Sequence, residues 1–274
     1  MRNSSYTDDK TTQDVAQQNE VSAKHDSHRR GSIAVVGLGP GHEEELTPRA
    51  LHAIEAAEFV VGYHTYMSLI KDLIADKKQV GTGMKQEIER CAKAVELASE
   101  GNSVVVVSSG DPGVYGMAGL VLELIGKLPE EKRPHAEIIP GLTAANTSAA
   151  ILGAPLMHDY AVISLSDLLT PWELIKKRAR MAAEGDFVIA LYNPRSRGRA
   201  THLDEICEIL LEVKDSTTPA GIVRKAGRNG MSFTITDLAH LAAQDVDMQS
   251  TVIIGNSRTR VENGRMITPR GYEL

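Results

Sequence analysis

The stretch Ser32-Ile33-Ala34-Val35-Val36-Gly37-Leu38-Gly39-Pro40-Gly41 decides how the rest of the chain is read. Four apolar residues, Ile33 to Val36, follow one another without alternation, which suits a strand covered on both faces. Glycines come directly after, where backbone must approach a ligand closely or adopt positive φ. A helix follows over 46–57. Thr47 stands as its N-cap, Pro48 takes the first helical position, and Leu51, Ile54 and Ala57 recur at helical spacing. Strand, glycine turn and helix together make the building unit of an α/β fold.

The same alternation runs outward from that unit. Strands are expected at 59–61, 103–107 and 136–139, with helical patterns at 65–75, 85–99, 115–125 and 143–152. The pattern then restarts with strands at 160–164, 187–192, 220–224, 232–236 and 251–254 and helices at 171–184 and 201–213. Hairpins are expected near Gly230 and Gly264. Strands joined by helices of ten or more residues imply right-handed crossovers and a largely parallel sheet. The reading is two α/β domains with largely parallel or mixed sheets, 31–141 and 142–274, and a ligand cleft between them. Residues 1–30 hold ten Asp, Glu, Lys and Arg residues and a single aromatic, Tyr6, which reads as a disordered N-terminal arm.

Composition narrows the class. The chain has 274 residues, 42% hydrophobic and 24% charged, which is ordinary for a globular protein. A formal net charge of −6 argues against nucleic-acid binding driven by bulk charge. The longest Val/Ile/Leu run, Val104 to Val107, falls far short of the ~18 residues of a membrane span. No apolar leader is apparent, so a cytoplasmic protein is expected. Cys91 and Cys207 fit no metal-binding spacing and read as buried thiols, and no metal site is expected.

The first loop resembles a dinucleotide-binding GxGxxG but departs from it. His42 stands where the third glycine belongs, and Pro40 removes an N–H that a pyrophosphate would use. The acidic residue expected ~20 positions on is missing, because that strand ends Val61-Gly62-Tyr63. A phosphate-binding GxxxxGK[ST] loop is absent too. Two further turns also follow apolar strands: Ser108-Ser109-Gly110-Asp111-Pro112-Gly113 and Pro140-Gly141-Leu142-Thr143-Ala144-Ala145. The second of the three turns presents Asp111 as a free carboxylate, suited to a neutral or cationic ligand. The third lines a helix start with small residues, against which something flat can pack.

These motifs, with Gly153-Ala154-Pro155-Leu156, resemble the tetrapyrrole methylases, S-adenosyl-L-methionine-dependent enzymes of corrin and sirohaem synthesis. Gly62-Tyr63-His64-Thr65-Tyr66, the run Ile163 to Trp172, Leu191-Tyr192-Asn193-Pro194-Arg195-Ser196 and Ile254-Gly255-Asn256-Ser257 narrow the likeness. They point to the branch that methylates C(17) of precorrin-3B or cobalt-precorrin-3 with ring contraction, in cobalamin biosynthesis. The resemblance spans roughly 32–271. It implies a homodimer with the methyl donor in the cleft, held by Gly37, Gly39, Pro40, Ser109, Gly110, Asp111, Val114, Thr143, Ala144, Tyr192 and Ala226. Ser109-Gly110-Asp111 stands where many relatives have Gly-Gly-Asp, and Tyr192 and Ala226 replace Met and Gly.

Methyl transfer from a sulfonium needs placement more than acid–base chemistry. His64, His158, Asp159 and Asp167 are the candidates for a base, each equally readable as a structural residue. An anionic, polycarboxylate tetrapyrrole substrate calls for cations. Two clusters follow strand ends: Arg195, Arg197 and Arg199, then Arg224, Lys225 and Arg228. Competing readings are a sibling methylase acting at another ring carbon, a non-catalytic ligand-binding protein on the same fold, and a nicotinamide-dependent dehydrogenase.

Overall fold

The computed structural model describes residues 30–273. The expected disordered arm, 1–30, lies outside the described residues except for Arg30. Five strands form the first sheet: β1 (Ser32–Gly37), β2 (Phe59–Tyr63), β3 (Lys78–Thr82), β4 (Ser103–Ser108) and β5 (His135–Ile139). Their order is β3-β2-β4-β1-β5, and every pairing is parallel. Helices cover both faces: α1 (Pro48–Ala56) on one, α2 (Glu87–Ser99) and α3 (Ala118–Gly126) on the other.

The unbroken apolar runs follow from this sandwiching. Ile33, Val35, Val104 and Val106 enter the core shared with α2 and α3. Val36, Val105 and Val107 enter the core beneath α1. Successive side chains of a strand point to opposite faces, so a strand covered twice is apolar at every position. Thr47 caps α1 as expected, its Oγ1 accepting from the Ala50 N–H at 3.1 Å.

One expectation fails here. The helical pattern at 65–75 resolves into a single turn, His64–Met67, then a 3₁₀ turn, Ser68–Ile70, and further turns. Met67, Ile70 and Ile74 still face the core, so their spacing reports burial and not a continuous helix. Strand β3 escapes notice because it lies at the sheet edge, paired only with β2, and Lys78-Gln79-Val80-Gly81-Thr82 carries no apolar run.

The second sheet holds β7 (Tyr160–Ser164), β8 (Val188–Tyr192), β9 (Pro219–Arg224), β10 (Ser232–Asp237) and β11 (Ser250–Ile254), in the order β10-β9-β11-β8-β7. It is mixed: β7 and β8 run parallel, while β8–β11, β11–β9 and β9–β10 are antiparallel. The β9–β10 hairpin is the one expected near Gly230. Helix α4 (Ala144–Leu152) packs on one face, and α5 (Trp172–Glu184) and α6 (His202–Leu211) on the other. A small third sheet joins β6 (Gly153–Ala154) to the hairpin of β12 (Arg260–Glu262) and β13 (Arg265–Ile267). Asn263 and Gly264, with φ of 49° and 71°, make the two-residue turn that such a hairpin favours. Cys91 and Cys207 are buried and unpaired, and burial pushes their thiols up to about 11 and about 12.

Leu191 is fully buried in the core of the second sheet. Leu191→Ala is expected to cost about 2–5 kcal/mol of unfolding free energy, read from the midpoint of a urea titration.

Candidate active site

Strands β4, β1 and β5 are neighbours and run the same way, so their carboxyl ends release three loops at one place. There the backbones nearly touch. A Cβ on Gly37 would stand 2.6 Å from the carbonyl oxygen of Gly110 and 2.6 Å from the amide nitrogen of Gly141. A Cβ on Gly141 would stand 2.3 Å from that same oxygen. Neither glycine has positive φ, so contact alone demands the missing side chain at these two positions. Gly39 and Gly110, at φ 58° and 68°, exchange backbone hydrogen bonds of 3.1 and 2.8 Å.

Asp111 joins the second loop to the third. Its Oδ1 accepts from the Gly113 N–H at 2.8 Å and its Oδ2 from the Gly141 N–H at 3.1 Å. The carboxylate expected to be free for a ligand is therefore engaged by backbone on both oxygens. This is a structural clamp, and its geometry rests on the Gly-Asp-Pro-Gly turn. Thr143 caps α4 through the Asn146 N–H at 3.2 Å. From β8, the Tyr192 hydroxyl reaches the same helix start and accepts from the Ala145 N–H at 2.8 Å. Burial pushes the Tyr192 phenol above its ordinary pKa, against the pull of that N–H.

A cavity of about 370 Å³ opens over this junction. Gly39 and Pro40 line it from the first loop, and Ser109, Gly110, Asp111 and Val114 from the second. Thr143 and Ala144 line it from the third, with Tyr192 and Ala226 across from the second sheet. Gly37 lies beneath, at the crossing. Of the six cations expected near a substrate, Lys225 and Arg228 reach the wall. The other four do not. Arg195 pairs with the Asp204 carboxylate and donates to the Ala242 carbonyl at 3.2 Å. Arg224 pairs with Asp247 at 2.8 Å, Arg197 is exposed, and the Arg199 backbone bridges to Ser196.

None of His64, His158, Asp159 and Asp167 lines the cavity. The His64 ring covers Gly81, where a Cβ would meet it at 2.3 Å. His158 Nδ1 accepts from the Asp159 N–H at 2.9 Å. Asp167 sits 3.2 Å from His202 Nε2, and that hydrogen bond holds its carboxyl below the usual range. His202 in turn lies against Trp172, with ring centroids 4.1 Å apart and planes tilted by 42°.

Tyr63, Tyr66, Tyr115 and Thr147 also line the cavity, beyond the residues that the sequence alone marks for the site. The Tyr115 hydroxyl donates to the Val162 carbonyl and accepts from the Ser164 N–H, both at 3.1 Å, filling the open edge of β7. Burial raises the Tyr66 phenol, with the Arg228 charge opposing it. Among the described residues, Thr147 Oγ1 is buried without a hydrogen-bond partner. Tyr63 and Tyr66 flank the cavity from the stretch Gly62-Tyr63-His64-Thr65-Tyr66, whose His64 turns to Gly81 instead. Among the described residues, no group of three or more His, Cys, Asp and Glu could hold a metal ion, and no helix is long and apolar enough to cross a membrane.

A parallel sheet joined to a mixed one, with a cavity over glycine loops at the strand ends, is an α/β architecture with a candidate ligand site at the sheet's carboxyl edge. Residues 32–242 match the model of the Tetrapyrrole (Corrin/Porphyrin) Methylases, and the chain belongs to that family. A probable cobalt-factor III C(17)-methyltransferase of Salmonella typhimurium is 51% identical over 242 residues, covering 88% of this chain and 100% of that protein. A precorrin-3B C(17)-methyltransferase of Sinorhizobium sp is 42% identical over 248 residues, covering 88% and 97%. The crystal structure of the methyltransferase CobJ superposes with a TM-score of 0.83 at 38% identity, covering 87% of this chain and 100% of that one.

Gly141→Ala is expected to weaken unfolding stability by about 1–3 kcal/mol in urea, because the backbone it would strike cannot give way. Asp167 titrates lower folded than unfolded, so its pairing stabilises at neutral pH and is lost as pH falls. In thermal melts, the gap between wild type and Asp167→Asn is expected to be open near about pH 6 and to close below about pH 4.

Proposed function

We propose that this chain transfers a methyl group from S-adenosyl-L-methionine to C(17) of a corrin precursor, precorrin-3B or its cobalt-bound counterpart, with ring contraction to the precorrin-4 level. One observation carries the reading: the Salmonella relative matches from end to end at 51% identity. The two relatives named above differ in substrate, one cobalt-factor III and the other precorrin-3B. Either form of the macrocycle is therefore a test substrate, with cobalt as its cargo.

The cavity residues fit a methyl donor of this kind. A volume of about 370 Å³ lies within the ~300–1,000 Å³ common for small-molecule sites. Val114, Ala144 and Ala226 are small enough to let a ligand approach the backbone. Thr147 Oγ1 finds no hydrogen-bond partner among the described residues. A buried polar atom left in that condition favours a ligand that supplies one. When bound, S-adenosyl-L-methionine supplies a methyl already activated on a sulfonium sulfur. The residues then have to exclude water and hold donor and acceptor in line, which contributes ~7–11 kcal/mol when alignment is good. The glycine crossing provides a rigid floor for that purpose, and Lys225 supplies positive charge toward an anionic macrocycle. The same reading divides the chain near Gly141 into 31–141 and 142–274. The family resemblance supports a homodimer, and the free, buried thiols of Cys91 and Cys207 suit a reducing compartment such as the cytoplasm.

The test is mass spectrometry after incubating pure protein with S-adenosyl-L-methionine and either precorrin-3B or the cobalt-bound precursor. A gain of one methyl on one substrate is expected, with NMR placing it at C(17). No gain on either substrate, or a methyl on another carbon, overturns the assignment.

A further inference from the structure

The segment joining β9 to β10 crosses the cavity and grips the glycine loops from the far side. Lys225 and Gly227 both take left-handed backbone, at φ 51° and 66°. Gly227 packs so closely that a Cβ there would stand 2.6 Å from Pro40 Cβ. Arg228 follows. Its Nε donates to the Pro40 carbonyl at 2.6 Å and its Nη2 to Ser109 Oγ at 2.5 Å. One guanidinium thus binds the first and second loops together. Burial lowers its pKa, with Tyr66 acting the other way.

The chemistry of the two acceptors is informative. Pro40 has no N–H, so its carbonyl is the only main-chain polar group it can offer. A serine hydroxyl that accepts from a guanidinium keeps its own O–H to give elsewhere. Ser109 lines the cavity, so the proton it has left is available to an acceptor there. A planar fork with fixed donor directions sets this arrangement in a way that a single ammonium cannot.

We infer that Arg228 is a positioning residue for the methyl-donor site, holding Pro40 and Ser109 so that the Ser109 hydroxyl donates to an oxygen or nitrogen acceptor on the donor. It is not a ligand for the substrate's carboxylates, the role that its place in a basic cluster suggested. This inference rests on the S-adenosyl-L-methionine reading proposed above.

The experiment is isothermal titration of S-adenosyl-L-homocysteine into wild type, Arg228→Ala, Arg228→Lys, Ser109→Ala and the Arg228→Ala/Ser109→Ala double variant. Steady-state methyl transfer is measured alongside. Arg228→Ala is expected to weaken binding about tenfold or more, the scale of one lost hydrogen bond to a charged group. Arg228→Lys, which keeps the charge but cannot span both partners, is expected to fall between, and it decides the matter if Arg228→Ala does not fold. The double variant is expected to bind no more weakly than Arg228→Ala, because Arg228 acts through Ser109. The KM for the tetrapyrrole is expected to stay unchanged. Wild-type affinity in both Arg228 variants, additive losses, or a raised tetrapyrrole KM with unaltered donor binding overturns the inference alone. A wild-type protein that binds no S-adenosyl-L-homocysteine overturns the donor assignment and the inference with it.

Discussion

The contact of three backbones at Gly37, Gly110 and Gly141 is the constraint on which the site depends. Three adjacent parallel strands deliver their loops to the same point, and two of those loops can meet there only if no Cβ intervenes. The Gly39–Gly110 backbone pair and the double acceptance by Asp111 then lock the crossing. The glycines that first suggest a phosphate cradle serve instead to pack main chain on main chain, which makes a floor with little freedom to move. A site whose task is alignment gains most from such a floor.

The rest of the cavity is assembled by bridging side chains, of which Tyr115 and Arg228 cross from one sheet's territory to the other. Tyr192 reaches from β8 to the start of α4, and Tyr115 reaches from the second loop to the edge of β7. Arg228 reaches from the β9–β10 connection to the first and second loops. Each bond contributes only about 1 kcal/mol net, somewhat more for the charged one, yet they share the same ends. Together they tie the mixed sheet to the parallel one around a single opening.

Much of the architecture is legible in the sequence because burial leaves a direct imprint. Ile33–Val36 and Val104–Val107 are apolar throughout because helices cover both faces of their strands. Thr47-Pro48 and Asn263-Gly264 mark a helix start and a tight turn through local backbone chemistry. Strand β3 stays hidden because an edge strand needs no apolar run, and its identity comes from pairing with β2. In the site, the three glycine turns are visible as turns. That Asp111 spends both oxygens on backbone is not, since Gly141 lies thirty residues away. Arg195 and Arg224 look like ligands for an anion until Asp204 and Asp247 are found beside them. The lining tyrosines give no periodic signal, since their place on the wall is decided by the tertiary fold.

We propose the cavity over the glycine crossing as the methyl-donor site. The most direct measurement is a crystal structure of the protein with S-adenosyl-L-homocysteine. The ligand is expected against Pro40, Ser109, Thr143 and Ala144, within hydrogen-bond reach of the Ser109 hydroxyl, with Arg228 still bridging Pro40 and Ser109. A ligand seated elsewhere, or one that displaces Arg228 to bind its guanidinium directly, would contradict it.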